Sequence, residues 1–129
     1  MKIKALICNC RGSSPSFQNS DMNTLPFQVE SSGLDVDYVA VHPQLCGVSG
    51  SKVMEDVLRA AEDDSETFVV VGACELQAQR KLFQKTLRKT GFDQGHIVAV
   101  DIRDATNEGI LDRLRKRIEE QIHSQQRGH

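Results

Sequence analysis

Tryptophan is absent from this 129-residue chain, aromatic residues make up 5% of it and proline occurs three times. A core must therefore be built from Val, Ile, Leu and Ala. Long apolar runs are missing too. The opening stretch, Met1 to Ile7, gives way at once to polar residues, too short for a signal h-region or a membrane span. The expectation is a cytoplasmic protein with no membrane partner. No Gly-x-Gly-x-x-Gly follows the first apolar run, so the dinucleotide fingerprint of an FAD or NAD site is lacking. There is no Walker A sequence, since Gly47-Val48-Ser49-Gly50 is too short and has no lysine. Ser13, Ser14 and Ser16 form a loop composition and not a nucleophile elbow. Neither charge sign dominates: 16 Lys and Arg face 18 Asp and Glu, a formal −2. That balance gives no electrostatic reason to expect nucleic acid.

The content that is present, 39% hydrophobic and 26% charged, is ordinary for a globular protein, and the length suits one domain over residues 1–129. Lys4 to Cys8 reads as a buried strand. Asp21 or Asn23 is placed to cap a short helix through Leu25, Phe27 and Val29, with Pro26 in its first turn and Gly33 at its end. Leu34 to Val41 alternates and then turns apolar, as a second strand would, and His42-Pro43 stops it. A glycine-punctuated loop, Gln44 to Gly50, follows. Ser51 is the expected N-cap of a helix with Val53, Met54, Val57, Leu58 and Ala61 on one face.

Thr67 to Cys74 is the clearest strand. After it, Leu76, Leu82, Phe83 and Leu87 define a helix ending at Gly91. His96 to Ile102 is a fourth strand, and Thr106 or Asn107 caps a helix carrying Ile110, Leu111, Leu114, Ile118 and Ile122. Arg115, Lys116 and Arg117 beside Glu119 and Glu120 read as a solvated face, and the tail from Ser124 as frayed. Alternation of this kind predicts an α/β fold: a doubly wound, Rossmann-like parallel sheet of about four strands with helices on both faces, in the order 2-1-3-4.

The four cysteines gain meaning on that map. Cys8 and Cys10 stand at the end of strand one, Cys46 just past strand two, and Cys74 at the end of strand three. In an open parallel sheet those ends share one edge, where ligands bind. Four thiolates suit an iron–sulfur cluster or zinc. Ligands arriving from three loops suit a [4Fe–4S] cluster, one cysteine per iron, better than a zinc site, for which paired Cys-x-x-Cys knuckles are usual. No Cys-x-x-Cys occurs. Helices beginning after Cys46 and Cys74 would favour negative charge there. Cysteine is also a common buried residue, and Cys74 reads equally as a small core hydrophobe.

Leu6-Ile7-Cys8-Asn9-Cys10, Leu45-Cys46 and Val69-Val70-Val71-Gly72-Ala73-Cys74 together resemble the N-terminal domain of the heterodisulfide reductase A subunit. The stretch from Phe83-Gln84-Lys85 through Gly91-Phe92 to Asp101-Ile102-Arg103-Asp104 is similar to that family's helix and following strand. The same pattern is similar to the delta subunit of methyl-viologen-reducing hydrogenase. The likeness covers most of the chain outside Arg11 to Gly33. It implies an electron-transfer domain in a reductase-like complex, with Cys8, Cys10, Cys46 and Cys74 as cluster ligands and a flavoprotein or another iron–sulfur subunit as redox partner. Two positions depart from the pattern: Gly12 lies two residues after Cys10 instead of one, and Glu75 replaces the usual Ser or His. The family's flavin domain and ferredoxin-type repeats are not in this sequence, so no turnover is expected from the chain alone.

His42, beside Pro43 and near Cys46, is a candidate ligand or tuning residue, or merely closes its strand. Arg11 is placed to offset cluster charge. His96, His123 and His129 read as surface histidines. Two further functions stay open: a cysteine-dependent thiol or sulfur-transfer protein using Cys74, and a zinc-binding interaction module.

Overall fold

The computed structural model describes residues 2–9, 18–34, 36–43, 45, 47–61 and 67–127. Four strands, β1 (Lys2–Cys8), β2 (Val36–His42), β3 (Thr67–Ala73) and β4 (Ile97–Asp101), alternate with helices α1 (Leu25–Ser31), α2 (Val48–Ala61), α3 (Leu76–Thr90) and α4 (Asn107–Arg127). One 3₁₀ turn, Gln94–His96, leads into β4. Every strand pair is parallel and the order is β2-β1-β3-β4. The expected doubly wound α/β arrangement is the observed one.

Period-2 side-chain alternation divides the core in two. Ile3 and Ile7 of β1, Phe68 and Val70 of β3, and Val98 and Val100 of β4 face α1 and α4. Leu6 and Cys8, with Val69, Val71 and Ala73, face α2 and α3 through Met54, Leu58 and Phe83. Helices on both faces bury β3 along its whole length, which explains its unbroken apolar sequence.

Several boundaries differ from those read in the sequence. Helix α2 begins at Val48, because the Ser51 amide donates to the Gly47 carbonyl at 2.8 Å; Ser51 is therefore inside the helix. Thr24 occupies the N-cap of α1 without a side-chain bond, and Asp21 instead accepts the Thr24 and Leu25 amides through its backbone carbonyl. Phe27 and Leu76 face outward, 70% and 37% exposed, while Gln79 and Thr86 take inward positions on α3. Thr106 caps α4, accepting the Gly109 amide at 3.2 Å, and α4 continues to Arg127, through the stretch expected to fray. His96 is no surface residue: its ring stacks on Phe68 at 4.7 Å and Nδ1 lies 3.2 Å from the Thr67 carbonyl. Ala61, Leu82, Ile122, His123 and His129 lie outside the described side chains.

The basic residues of α4 are also not simply solvated. Arg113, Gln121 and Arg117 recur at i, i+4 spacing on one helix face. Arg113 Nη1 donates to the Asp101 carbonyl at 2.9 Å, Arg117 Nε to Ala99 at 3.5 Å and Gln121 Nε2 to Gly95. These donors occupy the outer carbonyls of Ala99 and Asp101 on β4, an edge strand, and that of Gly95 in the turn leading into it. Arg115 reaches the other way, to the Ser32 carbonyl.

Gly72 is the tightest glycine in the sheet. A Cβ there would meet Ile7 Cδ1 at 3.0 Å and Ile102 Cγ2 at 3.1 Å, both on fully buried side chains. Gly72→Val is expected to destabilise the fold by about 1–3 kcal/mol through overpacking. Chemical denaturation measures it, and unchanged stability would mean that Ile7 and Ile102 can give way.

Candidate functional site

The ends of β1 and β3 form the part of the predicted cysteine site that the described residues reach. Cys8 closes β1 and shares the α2–α3 face with Leu6. It is buried, at 4% exposure, and the Leu45 amide donates to its sulfur at 3.4 Å. Leu45 is 37 residues away in sequence; the β1–α1–β2 crossover returns the chain to the same edge. Across β1 and β2, Cys8 lies opposite His42, which is half-buried and whose carbonyl accepts the Asn9 amide at 3.4 Å. The Asn9 side-chain oxygen is buried with no hydrogen-bond partner among the described residues.

On the other flank, Ile7 pairs with Gly72. Strand β3 ends one residue later at Ala73, and Cys74 follows at once, half-buried. Cys74 thus sits just beyond the strand that was expected to include it. Its peptide is held by Gln79, a side chain 1% exposed. Gln79 Nε2 donates to the Cys74 carbonyl at 2.7 Å and to the Val100 carbonyl at 3.1 Å. Both partners are acceptors, so the amide nitrogen must face them. The cost is a buried Gln79 Oε1 with no partner among the described residues. The Ile102 amide donates to the Ala73 carbonyl at 3.0 Å, so the exits of β3 and β4 are tied together.

Helix α3 begins two residues after Cys74, but its N-terminal amides are already engaged. Glu75 is the N-cap, and its carboxylate accepts from Gln77 at 2.9 Å and Ala78 at 3.4 Å. The favourable end of the helix dipole is thus complemented by a carboxylate, not reserved for the Cys74 sulfur as expected. Past β4, Arg103 grips Asp101 with two bonds, Nε to Oδ1 at 3.1 Å and Nη2 to Oδ2 at 2.8 Å. Arg113 donates to the carbonyls of both residues. The Arg103 fork holds the Asp101 carboxyl below its ordinary range. Asp101 and, at longer range, Glu75 favour the charged guanidinium in return. Asp104 closes this turn with a left-handed φ of 57°, a conformation Asp tolerates better than most residues.

Cys10, Cys46 and Arg11 lie outside the described residues. Among those described, no group of three or more His, Cys, Asp and Glu side chains is placed to hold a metal ion. Cys8 and Cys74 end or follow neighbouring parallel strands on one edge. Sequence reasoning missed Gln79, Arg113 and the cap made by Glu75. A visible sign existed for Gln79, since it falls on the same stripe as Phe83, four residues on. No protein-family model matches this chain, and no curated protein gives a match.

Two outcomes test this arrangement. Gln79→Leu strips the donor from the buried Val100 carbonyl, at about 1–3 kcal/mol if it is left unsatisfied, and from the partly buried Cys74 carbonyl at less. Stability should fall and Cys74 should react faster with a thiol reagent; an unchanged labelling rate would show that Gln79 does not restrain the loop. For Asp101, the folded pKa lies below the ordinary 3.8, so its stabilising effect is full above that value and lost as pH falls through the folded pKa. Asp101→Asn should therefore flatten the acid limb of the stability–pH curve below about pH 4, as followed by urea denaturation.

Proposed function

We propose that the chain is a cytoplasmic electron-transfer domain that binds one iron–sulfur cluster, of the [4Fe–4S] type, through Cys8, Cys10, Cys46 and Cys74. The single observation that carries this reading is the parallel order β2-β1-β3-β4. It sets side by side the C-terminal ends of β1, β2 and β3, the strands that the four cysteines end or follow in sequence. The donor chemistry fits: soft sulfur at two adjacent strand exits, with the Leu45 amide directed at one sulfur. Bound there, the cluster would supply one-electron exchange.

The chain's own residues would do the remaining work. Cys8 would enter from a buried strand end, with the Leu45 amide hydrogen-bonded to its sulfur and holding it in place. Gln79 fixes the peptide of Cys74 by binding its carbonyl and that of Val100. A reductase-type complex, with a flavoprotein or a second iron–sulfur subunit as partner, follows from the resemblance in sequence. The thiol-enzyme alternative draws less support, because Glu75 already complements the helix end that would activate Cys74.

Anaerobic reconstitution with iron and sulfide provides the test. The expected product is brown, with about four iron and four sulfide per chain. Serine at any one of the four cysteine positions should lower its iron content. Colourless protein whose four thiols still titrate after reconstitution would overturn the reading in favour of free-thiol chemistry, and retained zinc would overturn it in favour of a zinc module.

A further inference from the structure

Charge along the chain is unevenly distributed. Helix α3 carries Arg80, Lys81, Lys85, Arg88 and Lys89 and not one Asp or Glu. The rest of the chain has eleven Lys and Arg against 18 Asp and Glu, a formal −7. Lys81, Lys85 and Arg88 are exposed on one stripe. Only Lys89 of the five has a carboxylate within ion-pair distance among the described residues, Glu55 on α2 at 3.3 Å. Lys81–Lys85 and Lys85–Lys89 are like-charge pairs at i, i+4, which weaken a helix. A face that served only for solvation gains nothing from this arrangement, because mixed signs would hydrate equally well and stabilise α3.

Beside this stripe runs a groove of about 470 Å³ along the outer margin of β4. Leu87, Ile97 and Ala99 supply the apolar surface of its floor, and Arg80, Lys81, Gln84 and Arg117 complete the lining with polar and cationic groups. Arg117 is held by Glu120 at 2.9 Å and by the Ala99 carbonyl, so it shapes the wall and blocks strand addition. Among the described residues no aromatic side chain lines the groove, which removes the stacking platform that single-stranded nucleic acid uses. An apolar floor with a cationic rim instead matches an acidic segment that also presents an aliphatic side chain.

From this segregation of charge we infer that α3 and the β4 groove are the docking face for an acidic, amphipathic helix of a partner protein, its carboxylates on Arg80, Lys81, Lys85 and Arg88 and an apolar side chain on Leu87, Ile97 and Ala99. Arg80 lies six residues past Cys74 in sequence and about 6 Å along the axis from the first residue of α3, Leu76. A partner seated there would stand near the sulfur-bearing edge, and that clause alone rests on the electron-transfer reading. Steering of an acidic partner by such a face acts chiefly on the rate of encounter and is screened by salt.

The test uses the full chain purified in air, with no iron required, and a fluorescently labelled synthetic helical peptide bearing Glu on one face and Leu on the other. Saturable binding is expected, weakening at least about tenfold as salt rises, with amide NMR shifts confined to α3, β4 and the facing side of α4. The triple variant K81E/K85E/R88E should lose at least about tenfold in affinity while keeping wild-type helix content; if it does not fold, K81Q/K85Q/R88Q should shift in the same direction. Arg115→Gln, on the opposite side of α4, should bind as wild type. Affinity unaffected by the α3 substitutions overturns the proposal, as does polyglutamate binding as tightly as the Leu-containing peptide. An oligonucleotide binding more tightly than the peptide also overturns it and reassigns the face to nucleic acid. Failure of cluster assembly leaves this assay untouched, and a missing peptide interaction leaves the cluster assay untouched.

Discussion

Parallel pairing of β1 with both β2 and β3 is the constraint on which the rest of the molecule depends. A parallel neighbour can be reached only by a crossover, so each strand must be followed by a segment that travels back over a sheet face. Every strand then leaves the sheet in the same direction. Residues remote in sequence meet at that exit side: the Leu45 amide reaches the Cys8 sulfur, and the Ile102 amide reaches the Ala73 carbonyl. The same constraint buries β3 on both faces and leaves Gly72 no room for a side chain.

Exit loops carry backbone groups with no ladder partner, and a core of Val, Ile and Leu cannot supply one. The chain solves this locally with polar side chains brought from helices. Gln79 satisfies two carbonyls from within α3, and Arg113 satisfies two from α4. The Asp101–Arg103 fork stiffens the same region. A rigid surround is what a site at this edge needs, because ligand groups hold their geometry only when their own peptides are fixed.

Much of the architecture was legible in the residues. Apolar runs, one alternating stretch, helical stripes and capping residues marked the eight elements, and short connections with right-handed crossovers left few strand orders to choose from. The errors have specific causes. Ser51 is a good cap by type, yet the Gly47 carbonyl starts α2 sooner. Leu76 and Phe27 are apolar but fall off the buried stripe, whereas Gln79 and Thr86 fall on it; position on the helix overrides side-chain polarity when a bonding partner waits inside. Arg115 and Arg117 looked like part of a mixed, solvated run because their targets include backbone carbonyls, which composition does not reveal. At the candidate site, Cys8 and Cys74 lie where alternation and strand ends put them, while Cys10 and Cys46 are outside the described residues.

The three donors that α4 lays along β4 make the sheet finite at that end. Edge-to-edge growth of a sheet into a fibre needs two open margins, one to receive a strand and one to offer the next. With one margin closed, the most that pairing through β2 can produce is a closed couple of molecules. Three side chains on a single helix thus guard a margin that is itself short, β4 having five residues where the other strands have seven.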